Sequence, residues 1–429
     1  MTLSASATAR HSGRRDAARN MAWLLGDKAL ALLIGLGVQG LIARHLGPVG
    51  SGHFAYAAAL LQVGLGLSLV CAGVALLPRF CRMQAAFPGA IANIFALRFL
   101  ASLIAMAAMM LFCGAMVGDP QRRQVSMILL LAVPLIEPFY VIATYWLSRN
   151  HNRPTVVARS CGLVLRAITV VVCVYLGAPV WAIAGAWVLE SAVNASLQAY
   201  QARKAFPNRR FARFVRWSRM ARYFSFGIRF VSALWLSQLF LRLDRLVLAN
   251  WMEPLEFGLY AAPMQLVEVW TQVAYLVGTS IGTAYLYRQM RERTAVNAFL
   301  TAVAAMTAIG LVGLLGAWLL GPTVLRAVYG AGFDRSAPYL LAGAGFATLL
   351  FADQAIDMLI TGLDLPRLLA AKWLIAVVVA VAVFFAGFPR FGAFVGPIGM
   401  SCGVVAGWLG LLVPLARSVN GGRDAASTP

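Results

Sequence analysis

The chain has little acid and almost no lysine. Of its 429 residues only 15 are Asp or Glu, and charged residues of both signs make up 12%. A soluble domain carries about 25%, so this composition excludes one. Lysine occurs only at Lys28, Lys204 and Lys372, and arginine supplies the rest of the 36 basic residues. The six cysteines, at positions 71, 81, 113, 161, 173 and 402, show no CxxC or Cys/His spacing. They read as small buried apolar residues rather than metal ligands or disulfide partners. No GxxxxGK[ST] loop is present, so there is no sequence sign of a Walker-type nucleotide site or of ATP use.

What is abundant is apolar. Hydrophobic residues make up 61% of the chain, and the mean hydropathy is +0.78. Runs of about 18 or more apolar residues recur, each long enough to cross a hydrocarbon core of about 30 Å. Twelve are legible: 21–43, 54–77, 91–115, 127–147, 156–176, 180–200, 228–249, 259–284, 299–320, 340–361, 370–387 and 391–416. The expected fold is an all-α polytopic membrane protein with two six-helix lobes around a central cavity. The opening MTLSASATARHSGRRDAARNMAWLL is basic and then apolar, but no small-residue cleavage site closes a short apolar core. It is expected to be a retained first span.

A net charge of +21 would suggest nucleic acid in a soluble protein. Here the distribution decides instead, because Lys and Arg collect on the cytoplasmic side of a membrane. With the N-terminus inside, 26 basic residues, Arg98 and Lys372 among them, fall at inner segments or inner helix ends, against six outside. Both termini are therefore expected in the cytoplasm, and no nucleic-acid partner is expected. Four basic residues remain within spans: Lys28, Arg166, Arg242 and Arg245. The longest polar connection, RKAFPNRRFARFVRWSRMARYF, has arginines at 210, 213, 216, 219 and 222. It reads either as a topology-setting linker or as an interfacial helix on anionic lipid headgroups.

The chain repeats itself. At an offset of 206 residues, ARHLGPVGSGHFAYAA from Ala43 aligns with ANWMEPLEFGLYAAPM from Ala249, matching Pro48 with Pro254 and Gly52 with Gly258. The same offset pairs Gln62 with Glu268 and Arg82 with Arg288. Six spans separate the copies, so both insert the same way up, as in transporters built from parallel repeats. The organisation expected is a basic tail at 1–20, an N-lobe at 21–202, a linker at 203–225, a C-lobe at 226–416 and a tail at 417–429, with substrate between the lobes.

The stretch NMAWLLGDKALALLIGLGVQGLIARHLGPVGSGHFAYAAAL resembles the opening of Wzx-type polysaccharide exporters of the multidrug/oligosaccharidyl-lipid/polysaccharide (MOP) exporter superfamily. RLDRLVLANWMEPLEFGLYAAP is similar to their seventh span. The resemblance implies a flippase that moves an oligosaccharide, linked by diphosphate to a long polyprenol, across the bacterial inner membrane. Partners would then be that glycan-lipid, membrane lipids and other polysaccharide-assembly membrane proteins, with no cofactor.

Candidate site residues follow from depth, at 1.5 Å per helical residue. Ionised groups far from either membrane face are costly and mark substrate or ion paths. Glu137 and Arg166 lie 14 and 15 residues from His151 and are expected at one level, as a pair. Arg242, with Gln238, is expected within reach of Glu268 on the next span. Arg245 and Lys28 read either as site residues or as anchors snorkelling to the nearer surface, and Asp244 falls on a separate line beside Ser237. Asp353 and Asp357, one turn apart, could bind Na⁺ or share a proton, so a coupling ion of either kind is expected there. Arginine forks match phosphate oxygens, which suits a diphosphate cargo. Trp181, Trp187, Tyr140 and Tyr145 read as interface anchors or sugar platforms, and Pro134 and Pro138 as kinks in span four. Two other readings stay open: a MATE-like multidrug exporter, and an enzymatic polymerase or ligase of the same glycan.

Overall fold

Backbone groups in a bilayer must find partners within the protein, which leaves the helix as the default for an apolar run. The computed structural model of the protein describes residues 2–71, 73–82, 87–206, 211–278, 295–362 and 365–425. Among the described residues there is no strand. Arg209, Arg210, Arg288, Arg291, Arg293 and the end of span eight lie outside them.

In chain order the helices are α1 (Thr2–Ser68), α2 (Gly73–Arg82), α3 (Phe87–Met116), α4 (Pro120–Leu130), α5 (Val133–Ile136), α6 (Tyr140–Ser148), α7 (Arg153–Tyr175) and α8 (Val180–Ala205). They continue as α9 (Trp217–Phe240), α10 (Leu243–Leu248), α11 (Pro254–Val277), α12 (Ala295–Tyr329), α13 (Ala337–Gly362), α14 (Pro366–Phe391) and α15 (Val395–Ala425). Among the described residues eight stretches are long and apolar enough to cross a membrane, and two of them, Gly26–Ser68 and Pro366–Leu411, hold two sequence spans each. Spans seven and eight, in α9–α10 and α11, carry Arg242, Asp244, Arg245 and Glu268. Within α1 the division between spans one and two is Gly47, at φ 65°. Only glycine takes that conformation without strain, and Pro48 restarts the helix with its φ already set.

The described chain forms two compact units, one of residues 1–45 and 64–231, the other of 46–63 and 232–429. Residues 46–63, which the repeat assigns to the first half, group with the second unit.

In the first unit span four is broken into α4, α5 and α6. Pro134 at the start of α5 and Pro138 after it fall at the interruptions, where a missing N–H and a ring clash disfavour a continuous helix. The linker is pinned to α3 by Asn93, which is fully buried. Its Oδ1 accepts from Arg216 N at 2.8 Å, and its Nδ2 donates to Phe214 O at 2.8 Å. Arg213, Arg216, Arg219 and Arg222 all face outward.

In the second unit span seven is broken at Leu241–Arg242, between α9 and α10. Helices α14 and α15 lie against each other along Gly403 and Gly407, whose missing side chains admit Ala376 and Lys372; small residues let membrane helices approach this closely. The cysteines only partly follow expectation. All six are free, with Cys71 and Cys113 buried but Cys81, Cys161 and Cys402 on the outer surface. Cys161 and Cys402 lie within stretches apolar enough to span a membrane, where an exposed apolar thiol is not penalised, and Cys81 lies outside them.

Candidate functional site

The break in span seven frees the carbonyl of Leu241, and two guanidinia converge on it. Arg242 Nη1 donates at 3.1 Å and Arg245 Nη2 at 3.3 Å. Each also grips Glu268 on α11: Arg242 Nη2 bonds Oε1, and Arg245 Nη1 bonds Oε2 at 2.9 Å. One carboxylate thus spans two arginines. The side chains of Arg242 and Arg245 are 10% and 6% exposed, and that of Glu268 is 24% exposed. The Nε atoms of both arginines are buried and make no hydrogen bond. A helix break with forked donors around one accessible carboxylate is an arrangement suited to an anion that replaces the carboxylate.

The Arg242–Glu268 pair is the one expected from depth. Arg245 belongs to the cluster rather than to the outer surface. Asp244 is turned to Tyr260, whose hydroxyl donates to Oδ2 at 2.7 Å, while Oδ1 lies 3.7 Å from Arg245 Nε. Gln238 is half-buried on α9, one turn before Arg242.

Asp353 and Asp357 lie one turn apart on α13, as expected, but they already hold a cation. Lys372 of α14 is 1% exposed. Its Nζ donates to both Asp353 oxygens at 2.8 Å and to Asp357 Oδ1. Trp408 Nε1, on α15, donates to Asp353 Oδ1 at 2.7 Å. Lys372, expected at a cytoplasmic helix end, sits in the second turn of α14 and is buried on these carboxylates, because a carboxylate at its own level outweighs a stretch to the surface.

In the first unit Glu137 and Arg166 do not pair. Glu137 accepts from Arg98 Nη1 at 3.2 Å through Oε2 and again through its backbone carbonyl, and Arg98 Nη2 reaches Cys71 O. Arg98, expected at an inner helix end, is 1% exposed. It supplies donors to carbonyls released where the chain leaves the helix, at Glu137 and after α1. Arg166 instead donates to Glu190 Oε2 on α8 at 2.7 Å, with its guanidinium carbon 4.5 Å from the Trp187 ring centroid. Lys28 is half-buried beside Asp27, whose Oδ2 accepts from Arg159 at 3.2 Å. Among the aromatics, Tyr140 and Trp181 are about half exposed, at 54% and 48%, whereas Trp187 covers Arg166 and Tyr145 packs on Trp146 and Phe206.

Sequence reasoning missed Glu190, Tyr260, Trp408 and the roles of Arg98 and Lys372. The signal was the same depth count applied to the other turns. Arg166 and Glu190 each lie 12 residues from Ala178, and Arg98 and Glu137 lie 20 and 19 from Gly118. Among the described residues no group of three His, Cys, Asp or Glu side chains could hold a metal ion.

Residues 17–281 match the family model described as polysaccharide biosynthesis protein. No curated protein matches the chain. Among solved structures it is similar to an inward-facing multidrug resistance MATE family transporter of the MOP superfamily, at 17% identity and a TM-score of 0.70, over 91% of this chain and 95% of the other. It is similar to the lipid II flippase MurJ in an inward closed conformation, at 14% identity and a TM-score of 0.70, over 92% and 87%. A MOP superfamily transporter from Pyrococcus furiosus shares 16% identity over 94% of each chain, with a TM-score of 0.50. At such identities the likeness establishes a common fold, while the family model spans well over half the chain. The protein is a multi-pass membrane protein that shares the fold of these transporters, and it belongs to the polysaccharide biosynthesis protein family.

Proposed function

We propose that the protein is a flippase that carries a polyprenyl-diphosphate-linked oligosaccharide across the bacterial inner membrane by alternating access, with both termini in the cytoplasm. The observation that carries this reading is Glu268 shared between Arg242 and Arg245, each with an unused Nε–H donor. A diphosphate leaving water must exchange its hydration for paired donors, and two arginine forks match phosphate oxygens. Glu268 keeps the forks pre-positioned and charge-balanced while the site is empty, and competes with the cargo for release. Outward movement of negative charge is aided by an inside-negative potential, at about 2.3 kcal/mol per charge per 100 mV.

A second reading has one observation in its favour: the similarity to a multidrug resistance MATE family transporter matches that to MurJ in TM-score. Reconstituted vesicles separate the two. Exposure of a fluorescent polyprenyl-diphosphate glycan on the far leaflet, above that in protein-free vesicles and unaffected by cationic drugs, is expected. Saturable uptake of cationic drugs with no glycan-lipid flipping would replace the proposal with the second reading.

A further inference from the structure

The cluster around Lys372 is built like a site for a monovalent cation, yet its cation is part of the chain. Three helices of the second unit converge on it: α13 brings Asp353 and Asp357, α14 brings Lys372, and α15 brings Trp408. An ammonium has three donors, and all three are met by carboxylate oxygens of the two aspartates. The Nζ also lies 4.2 Å from the Trp373 ring centroid, so a π face covers it as well. Lys372 is 1% exposed and Asp353 3%.

The lysine stem cannot easily leave. A Cβ on Gly407 would lie 3.0 Å from Lys372 Cγ and 3.1 Å from Lys372 O, so α15 is packed directly on the stem. Trp408, the next residue, fixes Asp353 Oδ1 from the same helix. A compact point charge on a flexible stem is what distinguishes lysine from arginine, and in a chain whose basic residues are otherwise overwhelmingly arginine this position has lysine.

We infer that Lys372 is a tethered cation: its ammonium occupies the place where Asp353 and Asp357 would otherwise hold Na⁺, so the native site is permanently loaded and takes up no alkali cation. Removing the ammonium without removing the carboxylates should open the site to Na⁺. This inference concerns a site separate from the Arg242 cluster and stands independently of the substrate carried.

The test uses the purified full-length protein with ²²Na⁺ as the probe, alongside thermal unfolding in NaCl and in N-methyl-D-glucamine chloride at equal ionic strength. Wild type is expected to show no saturable ²²Na⁺ binding and the same midpoint in both salts. Lys372→Met should acquire saturable binding at least about tenfold above wild type and a midpoint that rises with Na⁺. Asp353→Asn in the same background should abolish both. Saturable binding by wild type that Asp353→Asn removes would overturn the inference, as would a folded Lys372→Met that binds no Na⁺. Should Lys372→Met unfold in both salts, Lys372→Ala is measured with n-propylammonium, a free copy of the lost group. Recovery of its folding supports a tethered cation, and failure to recover assigns Lys372 a purely structural part and overturns the inference.

Discussion

Gly52 and Gly258, equivalent positions in the sequence repeat, meet backbone to backbone in the second unit: a Cβ on Gly52 would lie 3.0 Å from Gly258 Cα and 3.1 Å from its N. One turn earlier on α1, the carbonyl of Pro48 also faces Gly258 and leaves no room for a side chain. The repeat therefore conserves a glycine for contact with its own copy. Replacing Gly258 by Ala drives a methyl into the Pro48 carbonyl, whereas a methyl on Gly52 meets Gly258 Cα and N and the Phe257 ring at 3.0, 3.1 and 3.2 Å, contacts that a small shift relieves. Overpacking of this kind costs about 1–3 kcal/mol. Thermal unfolding in detergent should rank Gly258→Ala below Gly52→Ala and both below wild type; equal midpoints would mean that the crossing is loose.

Arg242→Ala should lower the rate of glycan-lipid flipping by about tenfold or more, the effect of losing one charged hydrogen bond of about 1.5–3 kcal/mol. Arg213→Ala, at an exposed position on the linker, serves as the control and should change the rate by less than about twofold. Rates measured in vesicles of equal protein content decide the matter. Similar losses for both variants would show that the effect is general surface charge, not a site on span seven.

Glu268→Gln separates a competitor from a scaffold. The carboxylate holds both guanidinia, so its neutralisation leaves the two arginines, among the described residues, with Asp244 beside Arg245 as the remaining counter-charge. Half-saturation by the glycan-lipid should then occur at lower concentration while the maximal rate falls, since the anion that returns the site to empty is gone. Flipping kinetics over a range of lipid-linked substrate would show this split. A rise in the half-saturation concentration would instead mean that Glu268 only positions the arginines.

The apolar runs and the Arg242–Glu268 pair were legible before the structure, because each follows from helix length or from counting residues from a turn. The breaks in spans four and seven were less so. Pro134 and Pro138 announce the first, but nothing at Leu241–Arg242 is a helix breaker; there the guanidinia of Arg242 and Arg245 make the break tolerable by meeting the Leu241 carbonyl. Depth counting also failed to choose among partners. Glu137 has both Arg98 and Arg166 at its level, and the sequence does not say which helix faces which. The approach of α7 to α8 at Gly162, where a Cβ would lie 2.9 Å from Glu190 O, settles Arg166 on Glu190. The partners of Lys372 and Arg98 were missed for a common reason: a rule about where basic residues collect describes averages over loops, while a buried carboxylate acts on one residue.

The partner choice of Glu137 is itself testable by double-mutant cycle. Arg98 and Glu137 are both buried and joined at 3.2 Å, and breaking one side of such a pair costs about 3–5 kcal/mol because the other charge is left without compensation. Arg98→Met alone should therefore lower the unfolding midpoint strongly, and adding Glu137→Gln should recover a large part of the loss. Arg166→Met with Glu137→Gln should instead be additive within about 0.5 kcal/mol, since Arg166 is engaged by Glu190 at 2.7 Å. Recovery will be incomplete in the first cycle, because Arg98 also serves the carbonyls of Glu137 and Cys71, which Met cannot satisfy. Coupling between Arg166 and Glu137 comparable to that between Arg98 and Glu137 would overturn the pairing.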